Sequence, residues 1–226
     1  MNDASFIAAV VLAAGSSSRM GGVKKEYQKL ESGDSVLGSS VRVFANIPSV
    51  QVIVIAVPQG GEAAARDALP SEYLNAKRPE ILFVNGGSAR RASVFNALIT
   101  LAKFTPDYVL IHDGARPWVS VSLAENIIKE VKKHNAVIPI LPLADTPKEC
   151  AAGIVKRHLK RASIGIAQTP QGFKFDKIFN AHKKASKIKN KEFTDDAEIW
   201  GKFCGKVAVI SGEPQNKKIT FREDLN

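Results

Sequence analysis

The sequence predicts an α/β fold built on a mostly parallel sheet. Three observations carry this. Short apolar runs recur along the chain, patterns of helical period lie between them, and the first run empties directly into a loop of small residues. Strands alternating with helices make a sheet covered on both faces, and ligands of such sheets sit at the carboxyl ends of the strands.

The first run, Phe6 to Ala14, is apolar enough to mimic a signal-peptide core. The residues before it carry Asp3 and neither Lys nor Arg, and it flows into the Gly15 loop, so it reads as a buried strand. Ser35 then caps a helix over Val36 to Phe44, with Val36, Ser40, Val41 and Phe44 on one face. Strands are expected at Val52 to Val57, Ile81 to Val84, Tyr108 to Ile111, Ala136 to Leu141 and Val207 to Ile210. Pro139 argues for the end of its strand or for an edge position. Helices are expected at Ala92 to Lys103 and at Ser122 to His134, and Thr194-Asp195-Asp196-Ala197 opens another, where Thr194 serves a site or is only an N-cap. Ala144 to Gln168 breaks the alternation with Lys148, Lys156, Arg157, Lys160 and Arg161. A polar excursion of this length is a functional or docking arm, or a loose surface hairpin. Residues 1–226 read as one domain, with the arm at approximately 144–168.

Composition narrows the function classes. A 45% hydrophobic share in 226 residues buries a sizeable core, and a net charge of +10 favours anionic partners. Part of that charge lies in Lys183, Lys184, Lys187, Lys189 and Lys191, a solvated run without interleaved aromatics, so no nucleic-acid partner is expected. Cys150 and Cys204 have no metal-ligand spacing, and His112, His134, His158 and His182 form no paired motif. The two cysteines are expected as packing residues in a reducing cytoplasm. No apolar run approaches the length of a membrane span.

The loop Gly15-Ser16-Ser17-Ser18-Arg19-Met20-Gly21, followed by Lys24-Lys25-Glu26-Tyr27, is the strongest single signal. A loop without bulk exposes backbone N–H groups that can wrap a polyphosphate, and Arg19 and Lys25 add fixed positive charge. It lacks the Gly-Lys-Ser/Thr ending of a P-loop and the spacing of Gly-x-Gly-x-x-Gly, and small residues also serve in plain α/β turns. The strand at 81–84 ends in Asn85-Gly86-Gly87, where backbone can approach closely, and Ser93 follows as a helix cap or a ligand contact. The strand at 108–111 ends in His112-Asp113-Gly114-Ala115-Arg116-Pro117. A carboxylate there suits Mg²⁺ or a ligand hydroxyl, and Arg116 suits a phosphate or a plain ion pair with Asp113.

In order, L-A-A-G-x-x-x-R-M, K-x-Y, G-G-x-x-R-x-x-S-V, H-D-x-A-R-P, D-T, T-P-Q, T-D-D-A and N-x-K-I-T followed by D-L run from residue 12 to residue 225. The set resembles the 2-C-methyl-D-erythritol 4-phosphate cytidylyltransferase family. The resemblance implies a Rossmann-like nucleotidyltransferase domain with an arm that interlocks two subunits of a homodimer. It implies CMP transfer from CTP to methylerythritol phosphate, with Mg²⁺, in the non-mevalonate isoprenoid pathway. By resemblance Arg19 and Lys25 are catalytic and contact the triphosphate. Ala13, Ala14, Gly15, Gly86, Ser93, Asp113 and Ala115 join them on the CTP side. Asp113, Arg116, Thr146, Arg161, Thr194 and Lys218 match the sugar-phosphate side, with Arg161 reaching the neighbouring subunit. Asp113 is the one protein candidate for the metal, which the CTP phosphates mainly hold. The chemistry agrees: a phosphate monoester with a second pKa near ~6 is already a nucleophile at neutral pH and needs no general base.

The chain departs from the family pattern in places. Ser17 stands where a second glycine is usual, Lys24-Lys25-Glu26 replaces a Pro-Lys-Gln run, and Ser88 follows the paired glycines where an acidic residue is common. Lys25 is assigned because Tyr27 follows at the expected spacing, with Lys24 as the alternative. A ribitol 5-phosphate cytidylyltransferase shares the CTP loops and the T-P-Q run. It tends to carry a bulkier residue where Ala115 stands and to depart from Thr194-Asp195-Asp196-Ala197. The alternative of another class is a non-catalytic nucleotide-binding protein, for which the set Arg19, Lys25 and Lys218 is superfluous.

Overall fold

The structure, a computed structural model, describes residues 5–189 and 191–225, with Arg19 described through its backbone alone. Its first half runs β1 (Ile7–Leu12), α1 (Val36–Ala45), β2 (Val50–Val57), α2 (Glu62–Asp67), α3 (Ser71–Leu74), β3 (Glu80–Asn85), α4 (Arg90–Leu101), β4 (Tyr108–Asp113) and α5 (Val121–His134). Its second half runs β5 (Ala136–Pro142), β6 (Lys148–Ala151), β7 (Ile154–His158), β8 (Gly165–Ala167), β9 (Gln171–Lys174), α6 (Phe175–Ala185), α7 (Asp196–Phe203) and β10 (Ala208–Ser211).

The sheet order is β10-β5-β9-β4-β1-β2-β3, with β8 also paired to β5. The pairs β1–β2, β1–β4, β2–β3 and β5–β10 are parallel. The inserted β9 is antiparallel to both β4 and β5, and β8 is antiparallel to β5. The mostly parallel expectation holds, in a mixed sheet.

Strand periodicity divides β1 between two cores. Ile7, Ala9 and Val11 face a layer holding Leu37, Val41 and Phe44 of α1 and Leu123 and Ile127 of α5. Ala8 and Val10 face Val94 and Leu98 of α4, Ile178 of α6 and Trp200 of α7. Alternate side chains of one strand thus bury on opposite faces, which is why β1 reads as a continuous apolar run. The helices start where the sequence provides caps. Ser35 Oγ accepts from Gly38 N at 2.7 Å and Ser120 Oγ from Leu123 N at 2.9 Å.

Some boundaries differ from expectation. Pro139 lies inside β5, which is flanked on both sides, and is neither at its end nor on an edge. Its missing N–H falls where the antiparallel partners change, β9 covering Ala136 and Val137 and β8 covering Ile140 to Pro142. The cap of α7 is Asp195, whose side chain accepts from Glu198 N at 2.8 Å, and not Thr194. Cys150 and Cys204 are free and exposed rather than packed, because one lies on the β6–β7 hairpin and the other just past α7. That hairpin turns through Ala152 and Gly153, both at positive φ (50° and 73°), and all residues of its two strands are exposed. No helix among the described residues is long and apolar enough to cross a membrane.

Candidate active site

The strand order reverses at β1. The chain proceeds from β1 to β2 and β3 on one side, and β4 lies on the other. A crevice opens at such a switch point, outside the carboxyl ends of the strands. The register sets Leu12 opposite Asp113, so the small-residue loop and the His112-Asp113 motif leave the sheet at the same level.

Beyond Ala13, whose N–H bonds Ala56 O at 2.8 Å, the loop lets go of the sheet. The backbone N–H groups of Gly15, Ser16, Ser17 and Ser18 have no hydrogen-bond acceptor among the described residues. Consecutive free N–H groups form an anion cradle. The predicted triphosphate contact of the Arg19 side chain lies outside the described residues. Ser17 holds a left-handed conformation (φ 51°) that a glycine adopts more readily, and its hydroxyl donates to Glu26 Oε2 at 3.3 Å. Two departures from the family pattern, Ser17 and Glu26, therefore meet each other.

Both candidate lysines anchor this region. Lys24 Nζ donates to the Gly15 carbonyl. Lys25 is buried, and its Nζ donates to Ile219 O at 2.7 Å, joining the loop to the C-terminal segment. Burial pushes the Glu26 carboxyl above its ordinary value, against the opposing pull of its own backbone and of Lys25.

Gly86 brings the CTP-side pieces together. A Cβ there would lie 2.3 Å from Ala14 Cβ and 2.9 Å from Ser93 Oγ, so only glycine lets the β3 end touch the loop. Ser93 lies inside α4, not at its cap. Its hydroxyl accepts from Gly87 N at 3.0 Å and donates to Ala89 O at 3.2 Å, holding the glycine turn.

At the end of β4, Asp113 gathers cations. Lys218 Nζ lies 2.7 Å from Oδ2, Arg90 Nε 3.4 Å from Oδ1 and Arg116 Nε 3.9 Å from Oδ2. Burial alone would raise this carboxyl, but Arg90 first, then Lys218 and Arg116, hold it well below the carboxylate range. A cleft of about 270 Å³ opens here, lined by Arg90, Asp113, Arg116, Thr194, Lys218 and the Gln168-Thr169 stretch among others. Four predicted residues therefore converge: Asp113, Arg116, Thr194 and Lys218.

A buried hydrogen-bond chain sets the corner. Asp113 N donates to Thr169 Oγ1 at 3.0 Å, Thr169 lies 3.0 Å from His112 Nδ1, and His112 Nε2 lies 3.1 Å from Arg116 O. Burial drives the His112 pKa down to about 4, so the neutral ring donates from Nε2 and accepts at Nδ1. Asn216 Nδ2 donates to Thr169 O at 2.8 Å, Arg116 Nη1 to Asn216 O at 2.8 Å, and Ile219 N to Ala115 O at 2.9 Å. These bonds lay the C-terminal segment across the site and deliver Lys218. The Ala115 carbonyl is thereby committed to the backbone.

Thr146 and Arg161 do not join this cleft. Both are exposed at the root of the arm, where Arg161 Nη1 donates to Ala144 O at 2.6 Å. Conversely, Arg90, Thr169 and Asn216 belong to the site without having been singled out, although each stands in a quoted motif. Among the described residues, no group of three His, Cys, Asp or Glu side chains is arranged to hold a metal ion. Asp113 faces three cations, and Asp195 is engaged with Glu198 N and Gln171. This donor set fits an Mg²⁺ carried in on phosphates rather than one held by protein ligands alone.

A strand-end site of this kind, with an anion cradle beside a cation-ringed carboxylate, fits the nucleotidyltransferase class, proteins that bind a nucleotide and transfer part of it. The family model described as IspD, 2-C-methyl-D-erythritol 4-phosphate cytidylyltransferase, matches residues 7–226, and the chain belongs to that family. The chain is 37% identical over 227 residues to the bifunctional enzyme IspD/IspF of Brucella anthropi, covering 98% of this chain and 54% of that protein. A bifunctional IspD/IspF of Bartonella henselae is likewise 37% identical over 223 residues, 97% of this chain and 55% of that one. The chain thus spans about half the length of these curated relatives. Among solved structures, 4-diphosphocytidyl-2C-methyl-D-erythritol synthase from Anaerococcus prevotii superposes with a TM-score of 0.85 at 30% identity, covering 99% of this chain and 94% of that one. The 2-C-methyl-D-erythritol 4-phosphate cytidylyltransferase of Thermus thermophilus gives 0.75 at 28% identity, with 96% and 94% covered.

Proposed function

We propose that this chain transfers CMP from CTP to 2-C-methyl-D-erythritol 4-phosphate, releasing pyrophosphate, as a step of the non-mevalonate isoprenoid pathway. The convergence of Lys218, Arg116 and Arg90 on Asp113, level with the cradle at Gly15 to Ser18, carries the reading. CTP lies along Ala13, Ala14 and Gly15, with Gly86 and Ser93 beneath its base and ribose. Arg19 and Lys25 stabilise the charge that grows on the α-phosphate. The polyol phosphate enters the cleft between Arg116, Thr194 and Lys218 and attacks in line. Its phosphate is its own nucleophile, so the neutral, fully hydrogen-bonded His112 supports the scaffold and transfers no proton. Mg²⁺ carried on the CTP phosphates would neutralise charge on the triphosphate, with Asp113 as its candidate protein ligand.

Thr146 and Arg161 complete the site of a second copy in a homodimer built on the arm. Ile154 and Val155 on the hairpin, Ile166 on β8 and Val209 on edge strand β10 are exposed apolar residues of the sort such an interface covers. Two free thiols suit a reducing, cytoplasmic setting.

Pyrophosphate release with CTP and Mg²⁺, comparing methylerythritol 4-phosphate with ribitol 5-phosphate, tests the proposal. Turnover on the first alone is expected. Turnover on ribitol 5-phosphate keeps the transfer chemistry and overturns the substrate. Turnover on neither, with CTP still bound, makes the chain a nucleotide-binding protein.

A further inference from the structure

We propose that His182, acting through Asp196 and Arg90, is a positioning residue for the Asp113 carboxylate. The inference rests on the reading above and extends it to a residue outside the cleft. Arg90 opens α4 directly after the glycine turn of the CTP side, and its guanidinium spans two carboxylates. Nε lies 3.4 Å from Asp113 Oδ1, and Nη1 lies 2.8 Å from Asp196 Oδ2. Behind Asp196, in the last turn of α6, His182 Nε2 lies 3.0 Å from Asp196 Oδ1. Both Asp196 and His182 are 0% exposed.

The chain of contacts has one direction. Arg90 holds the Asp196 carboxyl below its ordinary value against the cost of burial, so Asp196 is an acceptor. The His182 ring therefore donates from Nε2. Its Nδ1 is buried with no hydrogen-bond partner among the described residues, so the ring serves Asp196 alone. Asp196 then has one oxygen fixed by a hydrogen bond from His182 and the other held by Arg90 as an ion pair, outside hydrogen-bond geometry. Arg90 holds one Asp113 oxygen while Lys218 holds the other. Cations on separate oxygens leave that carboxylate a single orientation. Stability does not explain the arrangement, because apolar residues commonly replace buried ion pairs without loss. Orientation does: the brace ties the start of α4, on the CTP side, to α7, which follows Thr194 on the polyol-phosphate side.

The test compares His182→Leu, which removes the donor, with His182→Gln, which keeps an N–H on a side chain of similar reach. Folded fractions are matched by circular dichroism. Loss of one hydrogen bond to a charged group predicts that His182→Leu lowers kcat/KM for the polyol phosphate about tenfold, with the KM for CTP within about twofold and His182→Gln restoring most of the loss. In an Arg90→Lys background the same substitution should cost less than about twofold, since the relay is already broken. Equal losses in the two backgrounds, or no rescue by His182→Gln, would overturn the proposal. The Arg90 Nε–H resonance provides a readout that needs no turnover. It should be sharp and slow to exchange in the native chain and in His182→Gln, and broadened in His182→Leu. An unchanged resonance in His182→Leu rejects the brace. Absence of native turnover rejects the functional reading instead, and the resonance still decides the brace.

Discussion

The Asp113 corner and the arm carry charge in opposite ways. At the corner, Arg90, Arg116 and Lys218 pair with Asp113 within one chain, Arg116 Nε making no hydrogen bond among the described residues, and backbone bonds from Asn216 and Ile219 hold them in place. On the arm, every residue of β6 and β7 is exposed, and among the described residues the Arg161 side chain bonds only the nearby Ala144 carbonyl. Exposed pairs on the arm, such as Arg157 with Glu149 at 2.7 Å, contribute little to stability. A buried cluster of charges is costly unless each is paired, so the charges of the corner find opposite partners within their own chain. The arm bears no such requirement, and its charges are available to another surface. The difference teaches that the Asp113 corner is built in place, while the charges of the arm are presented outward, where the proposed homodimer would use them.

The comparison breaks first at Lys218. Lys218→Ala should lower kcat/KM by on the order of a hundredfold in pyrophosphate release, as for removal of one donor to a developing charge. A loss below about tenfold would place the corner away from the reacting phosphate. Gly86→Ala comes next. The Cβ clash at 2.3 Å with Ala14 should raise the KM for CTP and destabilise the fold by about 1–3 kcal/mol in denaturant unfolding, as overpacking does. Unchanged stability would mean that the loop and the β3 end are not in contact.

The interior of the corner sets a pH limit. The folded-state pKa of His112, about 4, lies below its ordinary 6.5. Its contribution to stability is therefore full above pH 6.5 and is lost as pH falls through 4. Across that window the His112 contribution to the unfolding free energy should fall by up to about 1.4 kcal/mol per pH unit, and His112→Gln should remove that contribution. Asp113 and Asp196 lose their charge only below this window, because both are depressed from the ordinary carboxylate value. Glu26 has the opposite sign. Its carboxyl is raised by burial, so the folded state loses stability as pH climbs above the ordinary 4.5. Glu26→Gln should raise the melting temperature by a few degrees at pH 8 and leave it unchanged at pH 4. An unchanged midpoint at both pH values would mean that Glu26 ionises at no cost.

Much of this was legible in the sequence because it follows from periodicity and from small residues at strand ends. The run from Ile7 to Leu12 and the cap Ser35 announce their elements locally, whereas the cap Ser120 went unread and its helix was expected to start at Ser122. Pro139 misled because its tolerance depends on where two partner strands change over, which no local pattern shows. The strand β9 was hidden because Gln171-Gly172-Phe173-Lys174 has neither length nor alternation, and Gly172 is there to admit Ile127. At the site, Asp113, Arg116, Thr194 and Lys218 were found through their motifs. Arg90 stood in its motif unassigned because one-dimensional spacing does not reveal that it bridges Asp113 to Asp196. His182 carried no signal at all, since a buried histidine at a helical position looks like packing.

Subunit complementation tests the division of the site most directly. Arg161→Ala and Lys218→Ala chains, each nearly inactive alone, are mixed, unfolded and refolded together. If Arg161 acts across a homodimer, half the dimers are mixed and each mixed dimer keeps one intact site, so about a quarter of native activity should return. Activity that stays at the average of the two separate variants would contradict the account, because Arg161 would then not act across subunits.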